Sequence, residues 1–349
     1  MRRAAPAPVR PSDEILRSCL GRILSDFFRG PKTVSRVTRR PSMYRSSFAL
    51  EDLEVEFSAG ETLQVVFKDL SPGALSGDGR LAKPAFLLSP QREIEVYRKI
   101  LGPNGIGAPA CYGAVMDPAH DRYWLFLERA PGVELYQVGE IEVWARVARW
   151  LSVVHETLAP HVARLSRDVP LIQHDSGYYD TWRLRASAAL SSSGSNSDPA
   201  GSRRLSEWLA ERYPQLVARL KDLPVTIIHG ELYASSVLVD VRGGAAAVRA
   251  VDWEMAAAGP RLVDLAALTS GNWAEARRAE IARAYWEQAV ASGANPWAAS
   301  FNEFMDSLDL CRLQLAIQWL GWSSDWVPPP HQTHDWMAEA IQLIERVEI

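Results

Sequence analysis

VTIIHGELYASSVLVD (Val225–Asp240) and, after a Gly-rich turn, AVRAVDWEMAAAGPRLVDLAAL (Ala247–Leu268) form the most informative part of this 349-residue chain. The apolar run from Val225 predicts a strand that ends in His229-Gly230-Glu231. A loop and a second strand, Val237–Asp240, follow; Arg242-Gly243-Gly244 turns the chain, and a third strand delivers Asp252 at its end. On this reading Glu231 and Asp252 emerge from strand ends of one small sheet. A carboxylate at the end of an apolar strand, beside Trp253, is costly to bury without a partner or a metal. One carboxylate beside an attacking hydroxyl and another on a Mg²⁺ that bridges nucleotide phosphates is what phosphoryl transfer requires.

Upstream, Ser12-Asp13-Glu14 followed by apolar residues at helical spacing predicts an amphipathic helix over about 14–28, with residues 1–12 as a disordered tail. Strand-like stretches at Thr33–Arg39, Leu53–Phe57, Leu63–Phe67, Ala110–Val115 and Tyr123–Leu127, with a helix over Pro90–Leu101, predict a small mixed sheet carrying one inserted helix. After Ala130-Pro131-Gly132 the pattern becomes helical, clearest over Val143–Leu158; SSSGSNSDPAGSRR at 191–204 reads as a low-complexity loop without chemistry. The expected division is an N-terminal lobe over 13–130 and a helical lobe over 131–349.

These residues resemble the aminoglycoside phosphotransferase and choline kinase-like family, relatives of the protein kinases. Its H-G-D-x-x-x-x-N loop is met by His229, Gly230, Glu231 and Ser236, its I-D-W/F-E segment by Val251-Asp252-Trp253-Glu254, and its G-x-x-x-x-D-L-A tail by Gly259, Asp264, Leu265 and Ala266. In the N-terminal part, Val65-Val66-Phe67-Lys68 looks like the strand carrying the phosphate-clamping lysine, and Arg92-Glu93-Ile94-Glu95-Val96-Tyr97 like the helix whose glutamate holds it. The family pattern R-E-x-x-V selects Glu93 over Glu95. Trp124–Gly132 looks like an inter-lobe hinge, with Glu128 and Ala130 at adenine. In isolation a lysine ending a strand is an edge residue, a helical glutamate a surface charge, and a lone histidine a structural one; the joint pattern carries the reading.

The resemblance implies an α+β, bilobal protein-kinase-like fold with a small β-rich N-terminal lobe and a larger, mainly helical C-terminal lobe. It also implies a phosphotransferase that uses ATP or GTP with Mg²⁺ and moves the γ-phosphate to a hydroxyl of a small molecule: aminoglycoside-like, an amino alcohol or another hydroxylated metabolite. Lys68 would clamp the phosphates, Glu93 would hold Lys68, Asp252 and Ser236 would bind Mg²⁺, and Glu231 would orient or deprotonate the acceptor. Ser46 and Ser47, in a turn without the kinase glycines, would cradle phosphates.

Two positions depart from the pattern. Glu231 replaces the catalytic Asp, and its added methylene moves the carboxylate by about 1 Å. Ser236 replaces the metal-binding Asn with a shorter hydroxyl. These departures leave a catalytically weak or inactive nucleotide-binding pseudokinase, acting as an interaction module, as the competing reading. A protein kinase is disfavoured because no D-F-G or A-P-E pattern follows Asp252.

Composition narrows the classes further. The chain is 47% hydrophobic and 23% charged, as in globular proteins, with a net charge of −4 that argues against nucleic-acid binding. Cys19, Cys111 and Cys311 are far apart and make no disulfide or zinc pattern. No apolar run of about 18 residues predicts a membrane span, and the Pro/Arg-rich start lacks a signal-peptide core, so the expectation is a cytoplasmic protein without a membrane partner, with monomer and homodimer both open. Residues 253–349 hold 13 acidic and 6 basic side chains, a net of −7, so the first 252 residues carry +3. Eight of the thirteen tryptophans lie at or beyond Trp253. Acidic and indole groups together suit a cationic acceptor, with Glu254, Asp306, Asp309 and Trp322 as candidate contacts; a packed Trp core is the alternative.

Overall fold

Ser12 caps the first helix, α1 (Asp13–Phe27), and the apolar side chains at helical spacing, Leu16, Cys19, Leu20, Ile23 and Leu24, are buried. The computed structural model describes residues 10–42, 44, 47–75, 83–192, 198–240, 242, 247–293, 300–322 and 334–347. The chain divides into two units, one of Met1–Gly132 with Arg249–Glu254, the other of Val133–Val248 with Met255–Ile349. The short segment that carries Asp252 thus groups with the N-terminal residues, not with the strands that flank it in sequence.

In the first unit β1 (Val34–Pro41), β2 (Ala49–Phe57), β3 (Thr62–Asp69), β4 (Cys111–Asp117) and β5 (Arg122–Glu128) form a sheet of order β1-β2-β3-β5-β4. Every pairing is antiparallel, so the mixed sheet expected from sequence is corrected: short connections suffice for antiparallel neighbours, whereas a parallel pair needs a crossover. Period-two alternation sends Leu53, Val55, Phe57, Val65, Phe67, Trp124 and Phe126 into one core with α1. Between β3 and β4 lies α2 (Pro90–Val96), which runs into a π-helical turn, Tyr97–Leu101, and ends at Gly105 with φ +62°. Residues 10–12, expected in a disordered tail, are held: the Pro11 carbonyl accepts from Arg39 Nη1 at 2.7 Å and Arg10 pairs with Glu51.

The second unit is mainly helical. It holds β6 (Val133–Glu134), α3 (Ile141–Leu158), α4 (Val162–Asp168), β7 (Ile172–Gln173), α5 (Ser176–Ser192), α6 (Pro199–Glu211), α7 (Tyr213–Lys221), β8 (Val225–Ile228), β9 (Val237–Asp240), the start of β10 (Ala247–Ala250), β11 (Ala257–Pro260), α8 (Leu262–Leu268), α9 (Glu275–Ala291), α10 (Phe301–Trp322) and α11 (Trp336–Arg346). Part of the expected loop at 191–204 is helix. Asp198 accepts from Gly201 N at 2.9 Å and Pro199 occupies the first helical position, both strong starting signals, so α6 begins inside the low-complexity string. A second correction concerns the motif strands. β8 lies in the sheet β7-β11-β8 and β10 in the sheet β10-β9-β6, so Glu231 and Asp252 do not emerge from one sheet. Among the described residues no helix is long and apolar enough to cross a membrane.

Candidate active site

In β3 the alternation that buries Phe67 under α1 turns Lys68 to the opposite face. There its Nζ lies 2.6 Å from Glu93 Oε2 of α2 and pairs also with Asp252 Oδ1. The side chains of Lys68 and Glu93 are 3% and 1% exposed, that of Asp252 30%, so the ammonium is enclosed on one side and its second carboxylate still meets solvent. Burial works against the charged lysine, but Asp252, then Glu93 and Glu254, outweigh it and raise its pKa above the ordinary value. Burial pushes the Glu93 carboxyl up to about 7 against the pull of Lys68. Glu95, half a turn away, pairs instead with Lys99 at 2.6 Å and Arg98 at 3.5 Å.

Asp252 has φ +66°, a left-handed conformation that costs a non-glycine residue on the order of 1–3 kcal/mol and persists only where the surroundings impose it. The contacts of its segment do so. Ala250 N donates to Gly107 O at 3.0 Å, and the buried Trp253 ring donates from Nε1 to Ala250 O. Buried Arg92 donates from Nη1 to the carbonyls of Leu87 and Glu254, both at 2.8 Å. The Glu254 carboxylate pairs with buried Lys83 through Oε1, which also accepts from Ser47 Oγ at 3.1 Å. Its Oε2 is buried without a hydrogen-bond partner among the described residues.

That orphaned oxygen and the solvent-facing Asp252 give two carboxylates in one segment. Mg²⁺ is commonly held by one or two carboxylates with waters and substrate phosphates completing the shell, so the donor set fits it. Among the described residues no group of three or more His, Cys, Asp or Glu side chains forms an all-protein metal cage.

In the second unit β8 delivers His229-Gly230-Glu231. Gly230 has φ +85°, and a Cβ there would lie 2.2 Å from the Met255 carbonyl oxygen, so only glycine fits. The loop is held by Asp264 of α8, whose carboxylate accepts from His229 N (2.8 Å) and Gly230 N (2.9 Å). His155 Nε2 lies 3.1 Å from the same carboxylate and its Nδ1 2.9 Å from Tyr285 Oη. Burial alone would raise the Asp264 pKa; the His155 hydrogen bond and the charges of His155 and His229 reverse this and lower it. Glu231 is half-buried; its N–H donates to His229 Nδ1 at 3.3 Å, which leaves the imidazole proton on Nε2. Ser236, also half-buried, sits in the short turn before β9. Tyr233 accepts from Trp319 Nε1 at 2.7 Å, and burial, then the charge of Glu231, raises its phenol well above the ordinary value.

The remaining sequence candidates scatter. Glu128 ends β5, its side chain accepting from Ala110 N, and Ala130 follows two residues later. Ser46 lies outside the described residues. Glu254, expected to meet an acceptor, groups with the first unit in a buried pair with Lys83. Asp309 is buried and paired with Arg312 at 2.7 Å and Arg346 at 2.9 Å, in a network with Glu275, Glu339 and Arg278 that ties α9, α10 and α11 together. Trp322 is buried and stacks on Trp182 at 5.5 Å. Both serve packing between helices, and only Asp306 is exposed. Sequence reasoning missed Lys83, which no motif marked, and gave Arg92 no role although it stands beside Glu93 in the quoted pattern.

A family model described as the phosphotransferase enzyme family matches residues 79–299, more than half of the chain. The chain belongs to this family. No curated protein matches this phosphotransferase-family chain. Among solved structures it resembles choline kinase from Cryptosporidium parvum Iowa II at 13% identity, covering 96% of this chain and 94% of that one, with a TM-score of 0.56. The ethanolamine kinase of Plasmodium vivax is similar at 12% identity, with coverage of 89% and 82% and a TM-score of 0.56. A GDP complex of aminoglycoside 2'-phosphotransferase-IIIa is similar at 14% identity, with coverage of 95% and 97% and a TM-score of 0.54. These likenesses establish an α+β, protein-kinase-like fold and nothing finer.

Proposed function

We propose that this phosphotransferase-family chain moves the γ-phosphate of ATP or GTP to a hydroxyl of a small molecule. The observation that carries the reading is Lys68, buried between Glu93 and Asp252, whose charges favour its ammonium form. An enclosed ammonium with a solvent-facing carboxylate suits a nucleotide phosphate bound together with its metal. Lys68 binds the phosphates and Glu93 fixes its position. Asp252 and Glu254 would hold Mg²⁺, with the Ser236 hydroxyl as a further oxygen donor, and the ion would neutralise charge developing on the phosphate oxygens. Ser47, hydrogen-bonded to Glu254, adds its own hydroxyl beside the phosphates. Glu231 orients the acceptor hydroxyl and takes its proton as that oxygen bonds to the γ-phosphorus and the nucleoside diphosphate leaves. The loose transition state asks little of a base, so glutamate serves in place of aspartate. The acceptor is a hydroxylated metabolite, aminoglycoside-like or an amino alcohol; the −7 charge of residues 253–349 favours a cationic one, although Asp309, Glu339 and Glu275 are committed to arginines.

Thermal denaturation with ATP or GTP, with and without Mg²⁺, tests the reading on wild type and Asp252→Ala. A Mg²⁺-dependent rise in melting temperature in wild type alone is expected, because a ligand bound to the native state stabilises it by mass action. Release of labelled phosphate onto hydroxylated amines then identifies the acceptor. No shift with either nucleotide would sink the assignment.

A further inference from the structure

We infer that Arg92 and Lys83 are positioning residues that brace Asp252 for its metal. The inference rests on the phosphotransfer reading above and adds two residues to which the sequence reading gave no role. α2 presents neighbouring side chains to two different tasks. Glu93 pairs with Lys68, while Arg92, one residue earlier, donates to the Leu87 and Glu254 carbonyls from a single Nη1. The helix that sets the lysine therefore also grips the segment carrying Asp252.

Lys83 holds the same residue from its other end, through the Glu254 carboxylate, and Ser47 shares the oxygen it uses. Arg92 and Lys83 are both buried, so each contact is made away from competing water. Two residues N-terminal to this double grip, Asp252 sits at φ +66°, a conformation its own preferences oppose. Gripping Glu254 by its main chain and its side chain keeps the backbone from relaxing toward negative φ. Lys83 also directs Glu254: with Oε1 occupied, Oε2 is the oxygen left to a ligand. Partners of metal ligands set ligand orientation, and their loss typically costs about 10- to 100-fold in metal affinity.

The test uses the full chain. Lys83→Met and Arg92→Met are compared with Lys83→Arg, which restores the charge, and with Lys99→Met, which removes a surface partner of Glu95. Two quantities are read: the Mg²⁺ concentration that half-saturates nucleotide-dependent stabilisation, and hydrogen exchange at the amides of residues 252–254 without ligand. The expected result is a rise of about tenfold or more in the Mg²⁺ requirement of both methionine variants. Their affinity for metal-free nucleotide should be unchanged, exchange at 252–254 should be faster, Lys83→Arg should recover much of the loss, and Lys99→Met should match wild type. An unchanged Mg²⁺ requirement, or an equal loss of metal-free nucleotide affinity, overturns the inference. If a methionine variant does not fold, Lys83→Gln or Arg92→Lys is read in its place, since each keeps a polar side chain in the buried site while weakening its hold on Glu254. If wild type itself shows no Mg²⁺-dependent nucleotide binding, the phosphotransfer reading fails, and exchange at 252–254 alone decides whether the brace exists.

Discussion

The Lys68 cluster and the His229–Ser236 loop carry the two halves of the proposed chemistry, and they are held in different ways. In the cluster the chemical groups hold one another: Lys68 with Glu93 and Asp252, Lys83 with Glu254, all through side-chain charge. In the loop the frame is main chain, two N–H groups bound to one buried aspartate, with Gly230 in a conformation only glycine accepts. The difference bears on which residues can vary. A cluster whose reactive groups are also its structural groups cannot exchange one without disturbing the rest. A loop framed by Asp264 can exchange the side chains it displays, and both departures from the family pattern, Glu231 and Ser236, fall there.

The sharpest way to break this comparison is to separate function from stability. Lys68→Met should abolish measurable phosphotransfer and also destabilise the first unit, because Glu93 is left buried without its cation, a loss of about 3–5 kcal/mol where the charge is retained. Lys68→Met/Glu93→Gln should regain much of that stability and none of the activity. Urea denaturation of both variants decides it, and a double variant no more stable than the single one would contradict the mutual support described for the cluster.

In the loop the same separation should run the other way. Asp264→Ala removes the acceptor of two buried N–H groups and the partner of His155, and should cost about 3–5 kcal/mol. The sign of its pH dependence follows from a folded pKa below the ordinary 3.8. The contribution is fully present above that value and is lost as pH falls through the lower folded pKa. The gap between wild type and Asp264→Asn should therefore narrow only in strong acid. A gap that closes instead between pH 5 and 7 would mean that the protonation of His155, not of Asp264, governs the loop.

The five strands, the leading helix and the Lys68–Glu93 pairing were legible because each rests on a local period or a short motif. Phe67 and Lys68 alternate across β3, and Glu93 and Glu95 lie half a turn apart, so one of them had to face away. What stayed hidden depended on contacts distant in sequence. Nothing near Lys83 announces a partner 171 residues later, and the buried role of Asp309 follows from Arg346, on a different helix. The start of α6 was obscured by composition: serine and glycine dominate the string, yet Asp198-Pro199 is a helix start once its capping bond is formed. The assignment of β8 and β10 to one sheet failed because adjacency in sequence was taken for adjacency in the ladder.

Glu231→Gln should separate chemistry from stability in the opposite sense to Asp264→Ala. It should lower kcat by about 100-fold, the lower end of what a positioned general base contributes, while stability changes by no more than about 0.5 kcal/mol. A fall in stability as large as that of Asp264→Ala would mean that Glu231 belongs to the frame after all.

The smallest effect is expected at Ser236. If the loop is a frame that displays interchangeable side chains, Ser236→Asn places an amide oxygen, a hard donor of longer reach, where the family carries it, without altering the bonds to Asp264. Melting temperature without ligand should then stay within about 1 °C of wild type, in keeping with a substitution that disturbs no buried contact. The Mg²⁺ requirement of nucleotide binding should fall by about threefold, a modest change because Asp252 and Glu254 supply the charged donors and an amide adds only a neutral one. A lower melting temperature would show that the serine is part of the frame. An unchanged requirement with an unchanged fold would place residue 236 outside the metal's shell and leave Asp252 and Glu254 as its protein ligands.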